Sequence, residues 1–340
     1  MTFPRTLAVM TEGLDRQAYP AIVCEAGRRA GPLWRQALGA LSYDVGAPPC
    51  RESTIFDLAS LTKVIATTSI TMKAVREGRL SLSSVVRDDI TVAHLLDHSS
   101  GLPAHRRLWD AVADAAALRD AVLDMPQDRP AGVQAVYSDI GFMTLGFLLE
   151  ACMDAPLDQQ WRALWTDTAH PLEFVPDRST WASIAPTERD PWRGHLLQGE
   201  VHDEHAALLG GVAAHAGLFG NAASVGRFAS TVLESFQQET GLATPAEMRL
   251  WARRRSVPGS SRALGWDTML PTSSCGTHMS PTAIGHTGFT GTSLWIDWER
   301  DCYVVILTNR VHPTRSNELF VPMRARLHDA IAADLAAAGL

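Results

Sequence analysis

Apolar positions change their period along the chain. From Tyr19 to Gly27 and from Leu33 to Gly39 they read as two strands, joined by a polar turn around Arg28 and Gly31. Ahead of them, Met1 to Arg16 has the spacing of a short amphipathic helix. A loop rich in Gly and Pro, Val45 to Pro49, leads to a helical pattern that opens at Ser60, runs through Ser69-Ile-Thr-Met-Lys-Ala-Val and stops near Gly78. From Leu80 to about Gly241 helical spacing dominates. Ile90 to His98 ends at the stop Ser99-Ser-Gly-Leu-Pro, Leu108 to Met125 is a helix of mixed polarity, and Ile140 to Met153 is nearly all apolar and therefore buried. Leu208 to Phe219 is rich in Gly and Ala, and Ala222 to Phe236 is a further helix. β-Branched residues return late. Ile284 to Asp297 and Cys302 to Asn309 predict a hairpin turning at Trp298-Glu-Arg-Asp, and Met323 to Ala338 predicts a closing amphipathic helix.

Strands at both ends with helices between them predict a split domain of the α+β class. Residues 1–68 and 255–340 would share one sheet as a discontinuous α/β domain. Residues 69–254 would form a helical domain, leaving a cleft between the two. With 340 residues, 46% hydrophobic and 20% charged, the chain can bury a sizeable core. A net charge of −7 argues against a nucleic-acid partner. No apolar run reaches the roughly 18 residues of a membrane span. The charges scattered through Met1 to Gln17 interrupt any signal-peptide core, so a cytoplasmic protein is expected. The five cysteines (Cys24, Cys50, Cys152, Cys275, Cys302) are odd in number and widely spaced, which predicts free thiols.

The chemistry concentrates in three places. Ser60-Leu-Thr-Lys63 puts a hydroxyl and an amine one helical turn apart on one face. A desolvated lysine can take a serine proton, and a serine N–H at a helix start points where an oxyanion could form. Any protein carries a few such spacings by chance. Here, however, Lys63 and Lys73 are the only lysines in a chain that otherwise uses arginine. Arginine cannot serve as a base, so a retained lysine at this position reads as functional. Tyr137-Ser138-Asp139 precedes the buried helix. Its tyrosine could relay a proton, or it could be a core tyrosine beside a capping Asp139. Gly285-His286-Thr287-Gly288-Phe289-Thr290-Gly291 opens the penultimate strand, where glycines permit a ligand close approach or merely allow a bulge.

Together, and in this order, these elements resemble the serine β-lactamase and penicillin-binding-protein superfamily, specifically its class C-like serine hydrolases. Ser60-Leu-Thr-Lys63 matches the first motif, Tyr137-Ser-Asp139 the Tyr-x-Asn motif and His286-Thr-Gly288 the Lys-Thr-Gly motif. Supporting matches are His94 to Pro103, Gly199 to Ala206, Ala213 to Phe219 and Thr308 to Thr314. The resemblance implies an α/β sandwich, its antiparallel sheet flanked by helices, with an all-helical region inserted and no cofactor. It implies Ser60 as nucleophile, Lys63 as its activating base and Tyr137 as the proton shuttle. The oxyanion hole would be the N–H groups of Ser60 and Phe289. Asp139, His286, Thr287, Gly288 and His202 would contact substrate.

Two positions depart from the pattern. Asp139 stands where Asn is usual and could hold Lys63 charged. His286 stands where Lys is usual, so the site is expected to lack the fixed charge that would hold a carboxylate. The expected activity is therefore hydrolysis of a carboxylic ester or small amide through an acyl-enzyme. The alternatives are a DD-peptidase, D-aminopeptidase or β-lactamase, and a penicillin-binding sensor that acylates without turning over. His202-Asp203-x-His205 has the look of a metal cluster, but no third ligand stands out, and no metal is expected. Oligomeric state is not legible.

Overall fold

The computed structural model describes residues 2–339. Helix α1 (Pro4–Asp15) leads into strands β1 (Ala21–Arg28) and β2 (Gly31–Gly39). After a long crossing of the middle of the chain come β3 (Asp267–Thr268), β4 (Ile284–Thr287), β5 (Ser293–Asp297) and β6 (Cys302–Thr308). These strands form one antiparallel sheet in the order β3-β4-β5-β6-β1-β2, so the first and last parts of the chain do share a sheet. The segment expected as one strand from Ile284 to Asp297 is two. The chain reverses through Gly288 to Thr292, where the Gly288 N–H donates to the Thr292 carbonyl at 2.8 Å.

The strands read as continuous apolar runs because both faces of the sheet are covered. Side chains alternate between the faces. Ala21, Val23, Tyr303, Val305 and Leu307 join the core that contains Val225 and Phe228 of the helix Ala222–Ser235. Ile22, Cys24, Ala26, Val304 and Ile306 join Phe3, Met10, Phe320 and Leu327 on the other face. That second layer is made by α1 and the last long helix, Phe320–Ala337. The two helices are tied where Asp334, buried at 2% exposure, accepts from the N–H and Oγ1 of Thr6 at 2.9 and 2.8 Å.

The middle of the chain carries α2 (Thr68–Arg76), α3 (Asp139–Met153) and α4 (Ala222–Ser235), with shorter helices and strands of two or three residues between them. Helix α3 is buried along most of its length, as its composition predicts. Helix α4, although it falls in the 69–254 stretch, lies on the sheet and helps to close its inner face. The mixed-polarity stretch Leu108 to Met125 is a 3₁₀ turn at Leu108–Asp110 and a separate helix at Ala115–Leu123. Asp114 caps that helix by accepting the Ala117 N–H at 2.9 Å. The closing helix, now α5 (Phe320–Ala337), sends Arg324 and His328 inward along with its apolar residues. Among the described residues, no single helix is long and apolar enough to cross a membrane. All five cysteines are free thiols.

Candidate active site

The Ser60 segment is held before and after the serine. Asp57 is buried, and its carboxylate accepts the Ala59 N–H at 2.8 Å and the His202 N–H at 2.7 Å. Ala59 adopts φ +46°, a left-handed conformation that costs a non-glycine residue of order 1 kcal/mol and presents Ser60 at a sharp bend. A tight turn follows, with the Lys63 N–H donating to the Ser60 carbonyl at 3.1 Å. Lys63–Thr67 then forms a π turn before α2 begins. Single π turns of this kind commonly mark functional positions. The reversal after β4 clasps the same segment. Thr290 Oγ1 donates to the Asp57 carbonyl at 2.8 Å and Thr292 Oγ1 to the Leu58 carbonyl at 2.9 Å. Gly288 is required there, because a Cβ would stand 2.6 Å from the Leu58 carbonyl oxygen.

Lys63 is fully buried, and its ammonium donates to Ser60 Oγ and to the His215 carbonyl, both at 2.9 Å. Nζ also lies 2.8 Å from Asp139 Oδ1. Burial opposes the lysine charge, but Asp139 and Tyr137 together outweigh it and move Lys63 above the ordinary lysine range. Conversely, Lys63 overcomes the burial of Asp139 and holds its carboxyl far below the ordinary range. Asp139 is not the helix cap that its position suggests. Ser138 caps α3 by accepting the Gly141 N–H at 2.9 Å, which leaves the Asp139 carboxylate to face Lys63. Tyr137 also faces this amine, with Nζ 4.9 Å from its ring centroid and its hydroxyl buried without a hydrogen-bond partner. Burial raises the Tyr137 phenol, with Lys63 pulling the other way.

The backbone N–H groups of Ser60 and Phe289 donate to no other group among the described residues. Phe289 itself is half exposed at the mouth. Its carbonyl accepts from Arg310 Nε at 2.9 Å, and its ring stacks on His202 at a centroid distance of 5.6 Å. His202 is largely buried and hydrogen-bonded to Glu188 at 2.9 Å, and it lines one of the cavities that reach Ser60.

Two cavities meet at Ser60. One, of about 370 Å³, is walled by His105, Trp109, Asp139 and Asp203. The other, of about 320 Å³, lies past His286, Thr287 and Gly288. His286 donates from Nδ1 to the Thr287 carbonyl at 2.8 Å, and burial together with Arg262 drives its pKa well below the ordinary histidine value. Histidine therefore supplies no charge here, as its place in the motif suggests. The expected absence of fixed charge is nevertheless overturned. Arg262, Arg310 and Arg324 all line the same cavity. Arg262 stacks on the Tyr137 ring at 5.2 Å, and buried Nη1 of Arg262 and Nε of Arg324 have no acceptor. Burial, with Arg310 nearby, lowers Arg324 to about 10, still charged at neutral pH. The sequence held one signal for these residues. Arg324 and His328 occupy the inward stripe of α5 between Phe320 and Ile331, where only apolar residues are expected.

Such a site, in a cleft beside an antiparallel sheet covered by helices on both faces, defines the fold shared by β-lactamases and penicillin-binding proteins. A penicillin-binding protein homologue from Caulobacter crescentus superposes with a TM-score of 0.77 at 17% identity, over 98% of this chain and 97% of that one. EstCE1, described as a hydrolase with promiscuous acyltransferase activity, gives 0.76 at 18% identity, over 97% and 98%. The family described as Beta-lactamase matches residues 8–322, and the chain belongs to it. Among its relatives is a protein of Escherichia coli K12 named "Putative D-alanyl-D-alanine carboxypeptidase", 32% identical over 82% of this chain and 76% of that protein. Another is an N-acetylmuramyl-L-alanine amidase of Bacillus subtilis 168, 31% identical over 76% of this chain and 68% of that protein.

Proposed function

We propose that the protein is a serine hydrolase that cleaves a carboxylic ester or small amide through an acyl-enzyme on Ser60. The observation that carries this reading is the 2.9 Å hydrogen bond between Lys63 Nζ and Ser60 Oγ, deep in a cleft with two unengaged backbone N–H groups beside it. Lys63 and Tyr137 act as one unit with coupled protonation. Asp139 keeps the lysine charged, so the competent state is the one in which the pair has given up one proton. That pair accepts the Ser60 proton as Oγ bonds to the substrate carbonyl carbon. The resulting oxyanion takes the N–H groups of Ser60 and Phe289, each such donor contributing about 3 kcal/mol. The proton then passes to the leaving group as its bond to carbon breaks, and water reverses the sequence to free Ser60.

A second reading has its own support. The three arginines beside Thr287 suit a substrate carboxylate, since guanidinium groups pair with carboxylates in a fixed fork. The names of the two relatives point the same way, toward peptides and amides of peptidoglycan fragments. Wild type and Ser60→Ala are to be assayed on an aryl ester, a chromogenic cephalosporin, a D-Ala-D-Ala peptide and a D-amino-acid amide. Turnover lost in Ser60→Ala, with Tm changed by no more than a few degrees, is the expected result. Equal activity in the variant overturns the nucleophile. A stoichiometric burst without turnover would instead identify a sensor. Should the carboxylate substrates turn over, Arg262→Gln is expected to raise their KM at least tenfold and leave that of the ester in place.

A further inference from the structure

We propose that Asp203, His205 and His215 form a binding site for one divalent transition-metal ion of the zinc class. The His-Asp-x-His spacing misdirects. His202 is committed to Glu188, and the third ligand comes from ten residues beyond His205, in the loop whose His215 carbonyl accepts the Lys63 ammonium. One ligand atom from each of Asp203, His205 and His215 lies within 4.8 Å of the others. Two imidazoles and a carboxylate are a donor set that zinc and its neighbours favour.

His205 is the independent sign of a ligand. It is fully buried, yet neither ring nitrogen has a hydrogen-bond partner. Its ring lies 6.2 Å from that of His215 at 65°, so the two rings approach one point from different directions. His215 is equally buried, with Nδ1 unpartnered and Nε2 2.8 Å from Asp203 Oδ1. Asp203 uses that same Oδ1 to cap the following helix through the Ala206 N–H at 2.9 Å. On binding, His215 Nε2 gives up its hydrogen bond to Asp203 in favour of the ion, its remaining ring proton moving to Nδ1. Ligands 2.0–2.2 Å from one ion stand no more than about 4.4 Å apart, so the cluster needs only small side-chain adjustments, the 2.8 Å His215–Asp203 pair opening to admit the ion.

Charge favours the same conclusion. Asp139 and Asp203 are two carboxylates on one cavity, and only Asp139 is paired with Lys63, whereas neighbouring Glu204 has its own partner in Arg315 at 2.9 Å. Asp203 lines the cavity that reaches Ser60, so the coordination position not filled by protein would open toward it.

The test titrates chelator-stripped full-length protein with Zn²⁺ against a chromogenic chelator, and with Co²⁺ followed by visible absorption. One equivalent is expected to bind. Its affinity should fall at least tenfold in His205→Asn and in Asp203→Asn, which keeps the helix cap. It should be unchanged in His278→Ala, which removes an exposed histidine paired with Asp329. Ser60→Ala should also bind one equivalent, which separates this result from the acyl-serine reading. Absence of stoichiometric binding by wild type, undiminished affinity in both ligand variants, or loss of binding in His278→Ala would each overturn the site.

Discussion

Replacing Asp139 by Asn removes one charge and almost no volume. In the wild type this carboxylate stands 2.8 Å from the Lys63 ammonium, and its side chain is 20% exposed. At an effective dielectric constant of about 20, opposite unit charges at that distance attract by about 6 kcal/mol, an upper bound because the pair is partly screened. If only a quarter of that is felt, about 1.5 kcal/mol, proton loss from the Lys63–Tyr137 pair becomes easier by about one pH unit. The direction is the same for either member, because Asp139 raises both Lys63 and Tyr137. In the wild type, turnover should rise with pH as the pair loses its proton. In Asp139→Asn the rising limb should move toward lower pH by about one unit or more, increasing activity at neutral pH. The assay is kcat/KM for the best substrate from pH 5 to 10 in both proteins, with circular dichroism at each end to confirm folding. An unmoved limb would refute the reasoning, since Asp139 would then have no hold on the proton that matters. A shift to higher pH would refute it equally, since removing a neighbouring negative charge lowers the pKa of the pair, and loss of turnover at every pH would point to the carboxylate as the proton acceptor.

Other perturbations reach different parts of the structure. Gly288→Ala would place a Cβ 2.1 Å from Thr292 Oγ1 and 2.6 Å from the Leu58 carbonyl oxygen. The reversal must shift, carrying the Phe289 N–H with it, and kcat should fall about 100-fold or more with a measurable drop in Tm. Wild-type kcat in a folded variant would remove Phe289 from the reaction. Glu188 has an ordinary value of 4.5, and His202 and Arg315 overcome its burial to hold it down to about 2. A depressed carboxyl stabilises the fold above its unfolded pKa and loses that contribution as pH falls through the folded one. Glu188 thus supplies up to about 3 kcal/mol that fades between pH 4.5 and 2. Urea unfolding at pH 7, 4 and 3 should show Glu188→Gln well below wild type at pH 7 and approaching it at pH 3. A constant gap would assign the loss to packing.

The sequence carries the fold wherever local pattern decides it. The doubly buried strands, the apolar α3 and the serine–lysine spacing are all local, and all are visible in residue order. What escaped notice depends on distance along the chain. Arg262, Arg310 and Arg324 enter one cavity from a loop, a strand end and the last helix, so no spacing rule joins them. The pairing of Phe289 with Ser60 is expected from the resemblance alone, since no local pattern shows Thr290 and Thr292 reaching back to Asp57 and Leu58. For Asp139 the residue order leaves two roles open, a helix cap or a partner that holds Lys63 charged. Once Ser138 takes the cap, the adjacent carboxylate is free to turn toward the lysine, and that assignment requires coordinates.

The clasp on the Ser60 bend also bears on how the protein is made. Strand β1 leaves the ribosome early, yet its neighbour β6 pairs Val23 with Leu307, a partner synthesised 284 residues later. The two threonines that fix the bend arrive only shortly before that strand. Contacts this remote in sequence close late, because loop closure must precede any reward from pairing. The proposed nucleophile therefore exists as a chemical group long before it exists as a site. A nascent chain stopped anywhere before Thr290 would carry Ser60 and Lys63 on an unbraced turn, so reactivity toward an acylating probe doubles as a reporter that synthesis has reached the final strands.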